Sequence, residues 1–173
     1  MRMFYNCTSL IKGPEILPAT TLTQGCYASM FLGCTSLTEA PELPATTLAT
    51  SCYARMFVNC TNLTEAPTLP ATTLAEACYS HMFFGCTSLT SAPQLPATTL
   101  AVNCYNGMFS GCTSFNQNIS NWDVSNVESM DYMFCNCKSF NQDISNWDVS
   151  NVTKTESMFY NCKIEKKYKP KFK

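Results

Sequence analysis

The sequence has little charge and few of the residues on which catalysis and metal binding depend. Only 13% of its residues are charged and it contains a single histidine, whereas ordinary soluble domains have about 25% charged residues. No window approaches the roughly 20 consecutive apolar residues that a membrane-spanning helix needs. Residues 1–162 hold five Lys or Arg against eleven Asp or Glu. This composition predicts no membrane span and no nucleic-acid-binding face.

What the sequence has instead is a repeat. Met-Phe pairs recur every 25 to 27 residues, and they begin at Met3, Met30, Met56, Met82, Met108, Met133 and Met158. Self-similarity at such a period indicates a solenoid, in which each unit buries its apolar face against its neighbours. We therefore predict one array over residues 1–162 with about six full repeats, followed by a Lys-rich tail over residues 163–173.

The repeats come in two versions, a Pro-rich one over residues 3–107 and a Pro-free one over residues 108–162. Cys52, Met56 and Cys60 follow one another at intervals of four, which predicts a short helix with an apolar stripe. Threonine and serine residues before it are candidate N-caps. Gly and Asn tolerate the left-handed position that ends a helix, and they recur two residues after each Phe: Gly33, Asn59, Gly85, Gly111, Asn136 and Asn161.

The rest of each repeat predicts an extended strand. Proline cannot donate to a sheet ladder, so the Pro-rich strands should be very short and the two Pro-free ones should pair more regularly. Parallel strands lie about 4.8 Å apart, whereas packed helices need about 8–10 Å. The predicted fold is therefore an α/β repeat solenoid, a curved array with short parallel strands on the concave side and short helices on the convex side.

Two phrases carry a family resemblance. "CTSLTEAPELPATTL" and the Met-Phe-x-Gly-Cys segment resemble the BspA-like leucine-rich-repeat family, and "FNQDISNWDVSNVTKTESMFYNCK" resembles repeats of surface lipoproteins grouped under a domain of unknown function. The resemblance implies a leucine-rich-repeat-like solenoid on a bacterial or protozoan surface, with adhesion to host proteins. The chain opens without the apolar stretch of a secretory signal, so a cell-surface or secreted location rests on the resemblance.

Positions that vary between repeats on the strand half are candidates for binding. They form polar, mildly acidic rows suited to a host or matrix protein, or to a glycan, through multiple modest contacts. The alternative is that these positions are simply soluble and that the chain is a structural spacer in a longer array. The candidate binding residues are Lys12, Glu39, Glu42, Glu65, Thr68, Ser91, Gln94, Gln117 and Gln142.

Catalysis and cofactor binding are not predicted. His81 occupies a position that other repeats fill with Ser29, Arg55 or Gly107, which indicates a solvated face. Asp123 and Asp148 recur after tryptophan, and turn residues that bond their own backbone explain them more simply than acid–base catalysis. A single His and the absence of a C-x-x-C pair argue against zinc. No metal and no cofactor is expected.

Twelve cysteines form two ladders and one outlier. The first ladder has seven members, an odd number that cannot be paired throughout, and the second lies eight residues earlier in each repeat, on the predicted helix. A disulfide framework remains the alternative, but small buried hydrophobic thiols fit every position. Cys135 stands outside both ladders, and we expect it to point outward as a reactive thiol. The ladders are Cys7, Cys34, Cys60, Cys86, Cys112, Cys137 and Cys162, and Cys26, Cys52, Cys78 and Cys104.

The two tryptophans allow two interpretations. Regular recurrence predicts that Trp122 and Trp147 stack as a buried pair, although an exposed aromatic platform for a partner is the other interpretation.

The C-terminal tail, residues 163–173, holds six Lys against Glu165. We interpret this tail as a solubilising end, and the alternative is a weak contact with an anionic surface.

Overall fold

A computed structural model describes residues 2–173 as a single stack of repeats. Each repeat consists of a turn segment and an extended segment. Within residues 2–173 the only helix is a 3-10 helix, Lys166–Tyr168, and the strands are reduced to isolated parallel bridges between consecutive repeats. The turn segments span residues 24–33, 50–59, 76–85, 102–111, 131–136 and 156–161. The bridges are Lys12 with Glu39, Ile16 with Glu42, Thr21 with Thr47, Thr73 with Thr99 and Ser129 with Lys154.

The turn segments are built from two alternating kinds of backbone hydrogen bond. The N–H of Ala54 donates to Ser51 O at 3.1 Å, three residues back in the same turn segment. The next N–H, that of Arg55, donates instead to Ser80 O in the following repeat at 2.9 Å. The same alternation recurs along the array. Every second amide therefore closes a turn within its own repeat, and the amides between them tie that repeat to the next one.

This backbone requires a left-handed residue at every fourth position. Ser51, Arg55 and Asn59 have φ angles of 55°, 58° and 58°, and a left-handed third residue is typical of a type II turn. All six Gly and Asn positions predicted to be left-handed have positive φ, between 51° and 76°. The sequence prediction was therefore right about the conformation of these residues, although they do not end helices.

The predicted convex helices are not formed in residues 2–173. An apolar side chain at every fourth residue fits an α-helix, but it fits a chain of overlapping turns equally well. The helix would have used every amide inside its own segment, whereas here half of them bond the next repeat. With no helix to cap, Thr47 takes part in a parallel bridge with Thr21 instead.

The loss of the helices also removes the reason for predicting strong curvature. Curvature was expected because helices stack farther apart than strands do. Backbone hydrogen bonds of about 3 Å join consecutive repeats on the turn side as well as at the bridges, so both sides have nearly the same spacing. The prediction that the Pro-free repeats pair more regularly is also not confirmed, since their one bridge joins Ser129 to Lys154.

Equivalent aromatic side chains stack in ladders through the core. Phe31, Phe57 and Phe83 are fully buried, with ring centroids 5.6 and 5.7 Å apart and nearly parallel planes. The ladder runs from Phe4 to Phe159, and a second ladder joins Tyr27, Tyr53, Tyr79 and Tyr105 at 5.8 to 6.5 Å. Buried, closely spaced equivalents confirm the prediction of a solenoid.

The Pro-free repeats fill the core with larger side chains. Phe115 and Phe140 occupy the position of Leu63 and Leu89, and they stack on the Phe ladder at 4.9 and 4.6 Å. The two tryptophans stack on each other at 6.3 Å and are 7% and 5% exposed. The prediction of a buried tryptophan pair is therefore confirmed.

All twelve thiols are free and most of them are buried, as predicted. In the first ladder each buried thiol donates to the carbonyl of the preceding repeat's Phe. Cys60 Sγ lies 3.1 Å from Phe31 O, and Cys86 Sγ lies 3.0 Å from Phe57 O. The cysteine thus adds a polar contact between repeats that a purely apolar residue of the same size would not provide.

The tail is a folded part of the array, and we call residues 163–173 the lysine cap. Ile164 and Pro170 are buried, while Tyr168 and Phe172 pack partly buried against the core. The Ile144 N–H donates to Tyr168 O at 3.0 Å, and the Glu165 N–H donates to Asn141 Oδ1 at 2.8 Å. The lysine cap therefore covers the apolar face of the last repeat.

Candidate binding surface

Two adjoining concavities lie on the extended side of the second and third repeats. One has a volume of about 510 Å³ and is formed by residues 38–40 and 64–67. The other has a volume of about 430 Å³ and is formed by residues 40–44, 67 and 68. They share Ala40 and Pro67 as part of their walls. We call the continuous depression formed by residues 38–44 and 64–68 the acidic groove.

Four of the nine candidate residues meet in this groove. Glu39, Glu42, Glu65 and Thr68 all line it, and all four side chains are exposed. The polypeptide brings them together because residues that are one repeat apart lie side by side, as the bridge from Ile16 to Glu42 illustrates. Three carboxylates thus share one concave surface.

Charge in the groove is offset at only one edge. Lys12 lies in the preceding repeat and its Nζ is 2.9 Å from Glu39 Oε2. The hydrogen bond and charge of Glu39 raise the pKa of Lys12. Both side chains are almost two-thirds exposed, so this ion pair contributes little to stability. Glu42 and Glu65 have no cationic side chain within salt-bridge distance among the described residues.

Other candidate residues connect repeats rather than face a partner. Ser91 Oγ accepts the N–H of Ala66 at 2.9 Å, and Gln117 Oε1 accepts the N–H of Ala92 at 2.6 Å. Gln142 donates from Nε2 to Asn116 Oδ1 at 3.1 Å. These three side chains are half-buried. Gln94 is exposed but lies outside the groove.

The groove also contains residues that the sequence did not single out as binding candidates. Prolines at 41, 44 and 67 and alanines at 40 and 66 form much of the wall. Proline has no N–H and resists extended pairing, so the chain stays open here instead of closing into a continuous sheet. The regular proline pairs were visible in the sequence, but their role as a wall depends on two repeats lying side by side.

The groups considered for catalysis are used otherwise. Asp123 Oδ1 accepts the N–H and hydroxyl of Ser125 at 3.0 and 2.6 Å, which lowers the pKa of its carboxyl. Asp148 accepts the Ser150 N–H in the same way. His81 is half-buried, and desolvation followed by the charge of Arg55 lowers its pKa. Within residues 2–173 no three His, Cys, Asp or Glu side chains form a group that could hold a metal.

Cys135 does not point outward as we expected from the sequence. Its side chain is 8% exposed, and its thiol accepts a hydrogen bond from Asn136 Nδ2 at 3.4 Å. Asn136 follows it with a φ of 59°, as predicted. The outward position was inferred from a helix, and linked turns form here instead. The exposed thiol is that of Cys7 in the first repeat.

Burial makes the ladder thiols poor nucleophiles. Desolvation raises the pKa of both Cys52 and Cys104 to about 11, and it raises the pKa of Cys86 further. Because the thiolate is the reactive form, these thiols stay protonated and inert near neutral pH. They serve the packing of the repeats.

A family match covers the second half of the chain. The family described as "Mycoplasma protein of unknown function, DUF285" matches residues 77–169. The chain belongs to this family. The matched region includes the Pro-free repeats, which agrees with the resemblance of those repeats to a domain of unknown function. The resemblance to BspA-like proteins is not confirmed by this match.

Comparison with solved structures gives a distant similarity. A crystal structure of a leucine-rich repeat protein from T. pallidum is similar with a TM-score of 0.45 and 18% sequence identity. The similarity covers 80% of this chain and 58% of that chain, so this chain spans less than two thirds of that structure. No curated protein matches the sequence. Among residues 2–173 there is no helix whose length and apolarity would suit a bilayer crossing.

Proposed function

We propose that this protein is a non-catalytic binding module of a bacterial cell surface and that it binds a protein partner in the acidic groove. The observation that carries the proposal is the meeting of Glu39, Glu42, Glu65 and Thr68 around one depression. These residues were selected because they vary between repeats. Their common position gives the variation a shared surface on which a partner could be recognised.

The chemistry of the groove favours a basic, extended partner segment. The depression is open along its length and is lined by carboxylates, hydroxyls and proline rings. Carboxylates that are exposed and unpaired form charge-assisted hydrogen bonds with Lys or Arg. Neither histidine nor cysteine is among the described residues that line it, which supports a binding role over a catalytic one.

Surface location is part of the proposal. It is supported by the family membership, since the family carries a bacterial genus in its description, and by the resemblance of both repeat types to surface proteins. Adhesion to a host or matrix protein is the form of binding that this location favours. A glycan partner would need hydrogen bonds from the same groove and would depend less on its charge.

The alternative is a structural spacer with no partner of its own. It is supported by the continuity of the Phe ladder from Phe4 to Phe159, which holds the repeats in one rigid stack. A spacer needs the stack but has no use for the groove. The two functions therefore differ in whether groove substitutions have any effect on binding.

The test is capture of defined probes by the purified chain. The probes are immobilised fibronectin, laminin and collagen, together with synthetic extended peptides of graded Lys and Arg content. The variant carries Glu42→Lys and Glu65→Lys, and it leaves Glu39 in place so that the ion pair with Lys12 is kept. We expect the double variant to lose at least about tenfold in affinity, since close opposite charges across an interface contribute about 1.5 kcal/mol or more.

A matched control has the same charge change elsewhere. Glu76 and Glu128 are exposed acids outside the acidic groove, and Glu76→Lys with Glu128→Lys should leave capture unchanged. If no probe binds the wild-type chain, or if both double variants bind as wild type does, the groove is not the binding surface. The spacer function would then be favoured.

A further inference from the structure

The lysine cap presents its charges from a fixed surface rather than from a mobile tail. The Lys163 N–H donates to Cys137 O at 3.4 Å, and Tyr168 O accepts the Ile144 N–H at 3.0 Å. Ile164 and Pro170 are buried beneath it. Five of the six lysine residues in this segment are exposed, and they lie at one end of the stack: Lys163, Lys166, Lys167, Lys171 and Lys173.

Three of these lysine side chains surround a depression of about 480 Å³. Lys167, Lys171 and Lys173 line it together with Ser145, Trp147, Asp148, Val149 and Ser150. Lys167 is paired with Glu165 at 3.0 Å, and Asp148 supplies one opposing carboxylate that already accepts the Ser150 N–H at 3.0 Å. Lys171 and Lys173 have no ion pair among the described residues. The depression therefore has an excess of positive charge.

The remainder of the chain has the opposite sign. Residues 1–162 carry five Lys or Arg against eleven Asp or Glu, a net charge of −6, while residues 163–173 carry six Lys against one Glu, a net charge of +5. The protein is thus electrically polar along its stacking axis. An anionic surface would attract the capped end and repel the rest of the stack.

We propose that the lysine cap binds a membrane surface of anionic lipid headgroups, with the depression between Lys167, Lys171 and Lys173 taking one phosphate group. The stack then stands end-on, and the acidic groove is held away from the anionic surface. This proposal does not depend on what binds in the groove.

Three observations favour a flat anionic surface over a linear polyanion such as a nucleic acid. A nucleic acid longer than the cap would have to continue along the acidic repeats, whereas a surface touches the cap alone. The cap also contains no arginine, the residue suited to bidentate phosphate recognition. Its Tyr168 and Phe172 rings pack on the core instead of forming an open platform for bases. Lysine clusters of this size are typical of non-specific attraction to anionic lipids.

The test is sedimentation of the full chain with vesicles. The vesicles contain phosphatidylcholine alone or with phosphatidylglycerol. We expect binding only to the mixed vesicles, and we expect it to be lost near 0.5 M salt because salt at about this concentration screens surface charge. The variant Lys167→Gln, Lys171→Gln and Lys173→Gln should weaken binding about a hundredfold, since each lysine near such a surface contributes roughly a factor of five.

The control variant removes the same charge from the body. Arg2→Gln, Arg55→Gln and Lys154→Gln change the net charge equally, and we expect less than about a threefold effect on vesicle binding. Near-ultraviolet circular dichroism checks that both variants keep the wild-type fold. The proposal is overturned if the wild-type chain does not bind the mixed vesicles or if the two variants lose equal affinity. It is also overturned if a single-stranded oligonucleotide binds more tightly than the vesicles.

Discussion

The Pro-rich and the Pro-free repeats share the last six residues of the turn segment and have different extended segments. On the turn side the Phe ladder crosses the boundary without a break, from Phe83 to Phe109 at 5.7 Å and from Phe109 to Phe134 at 6.1 Å. The cysteine contact also continues, with Cys137 Sγ 3.1 Å from Phe109 O. The last six residues of the turn segment are thus the constant part of the molecule.

The two regions use different side chains to form hydrogen bonds with the preceding repeat. In the Pro-rich region threonine hydroxyls donate to the preceding repeat, as Thr61 does to Thr35 O at 3.3 Å. In the Pro-free region asparagine amides do this, as Asn151 does to Ser125 O at 2.7 Å. The difference teaches that the array tolerates two kinds of side-chain donor in these links between repeats. The acidic groove lies in the Pro-rich region.

The largest expected effect is unfolding at high pH, and it arises mainly from groups in the Pro-rich region. Most buried thiols and all the stacked tyrosines belong to the Pro-rich repeats, and burial raises their pKa, to about 11 for Cys52 and Cys104. A raised pKa means that the stability is present below the ordinary thiol value near 9 and is lost as the pH rises toward 11. Each such group removes up to about 1.4 kcal/mol per pH unit, so we expect the array to unfold in this window.

Two optical signals measure whether the regions unfold together. Tyrosine ionisation reports the Pro-rich ladder once the contribution of the four tyrosines outside the ladder is subtracted, and fluorescence reports Trp122 and Trp147 in the Pro-free region. Coincident transitions are expected because the Phe ladder is continuous. If tryptophan fluorescence stays native after the four ladder tyrosines have ionised, the turn segment does not couple the two regions.

The next largest effect is expected at Phe109, which lies at the boundary between the Pro-rich and Pro-free regions. Phe109 is fully buried and stacks on Phe83, Phe115 and Phe134. Phe109→Ala is expected to lower the free energy of unfolding in urea by about 3–5 kcal/mol. Phe84→Ala is the control, because Phe84 is 39% exposed and should lose less than about 1 kcal/mol. A small effect at Phe109 would mean that the two regions are stable without each other.

A smaller effect tests the shared backbone. Asn59 in the Pro-rich region and Asn136 in the Pro-free region have φ angles of 58° and 59°. Replacing either by Val should cost about 1–3 kcal/mol because a β-branched residue is strained in this conformation, whereas replacement by Gly should be nearly neutral. Thermal unfolding of the four variants gives the comparison. Unequal costs for the two Val variants would show that the turn segments differ between the regions.

These left-handed residues also show how far the sequence could be interpreted. The conformation of Gly33, Asn59 and their equivalents was predictable because few residues tolerate it. The choice between helix and linked turns was not predictable from the apolar spacing, since both structures repeat that spacing. One signal was available: Ser, Gly or Asn recurs every fourth residue at Gly25, Ser29 and Gly33, which a stable helix would avoid.

The site shows a similar division. The sequence identified the four groove residues by their variation, but the groove itself exists because residues 38–44 and 64–68 lie side by side. In the sequence Ser91 and Gln117 resemble the groove residues, since they also vary between repeats. In the structure their side chains accept hydrogen bonds from backbone amides of a neighbouring repeat. The lysine cap was interpreted by its charge. Its apolar anchors Ile164, Tyr168 and Pro170 could be recognised only once the last repeat offered an uncovered face.

The smallest expected effect concerns the tyrosine ladder, which the Pro-free region lacks. Tyr53 is 1% exposed, and its hydroxyl is buried with no hydrogen-bond partner among the described residues. The first Pro-free repeat has Met130 at the equivalent position, and methionine has no hydroxyl that needs a partner.

Tyr53→Phe keeps the stacking on Tyr27 and Tyr79 at 5.8 and 6.0 Å and removes the buried polar atom. Since an unsatisfied buried group costs about 1–3 kcal/mol, we expect the urea midpoint to rise, by the equivalent of about 1 kcal/mol. Tyr160→Phe, at a 67% exposed side chain, should leave the midpoint unchanged. A lower midpoint for Tyr53→Phe would mean that the hydroxyl has a partner in solution, and the absence of a tyrosine ladder from the Pro-free region would then need another reason.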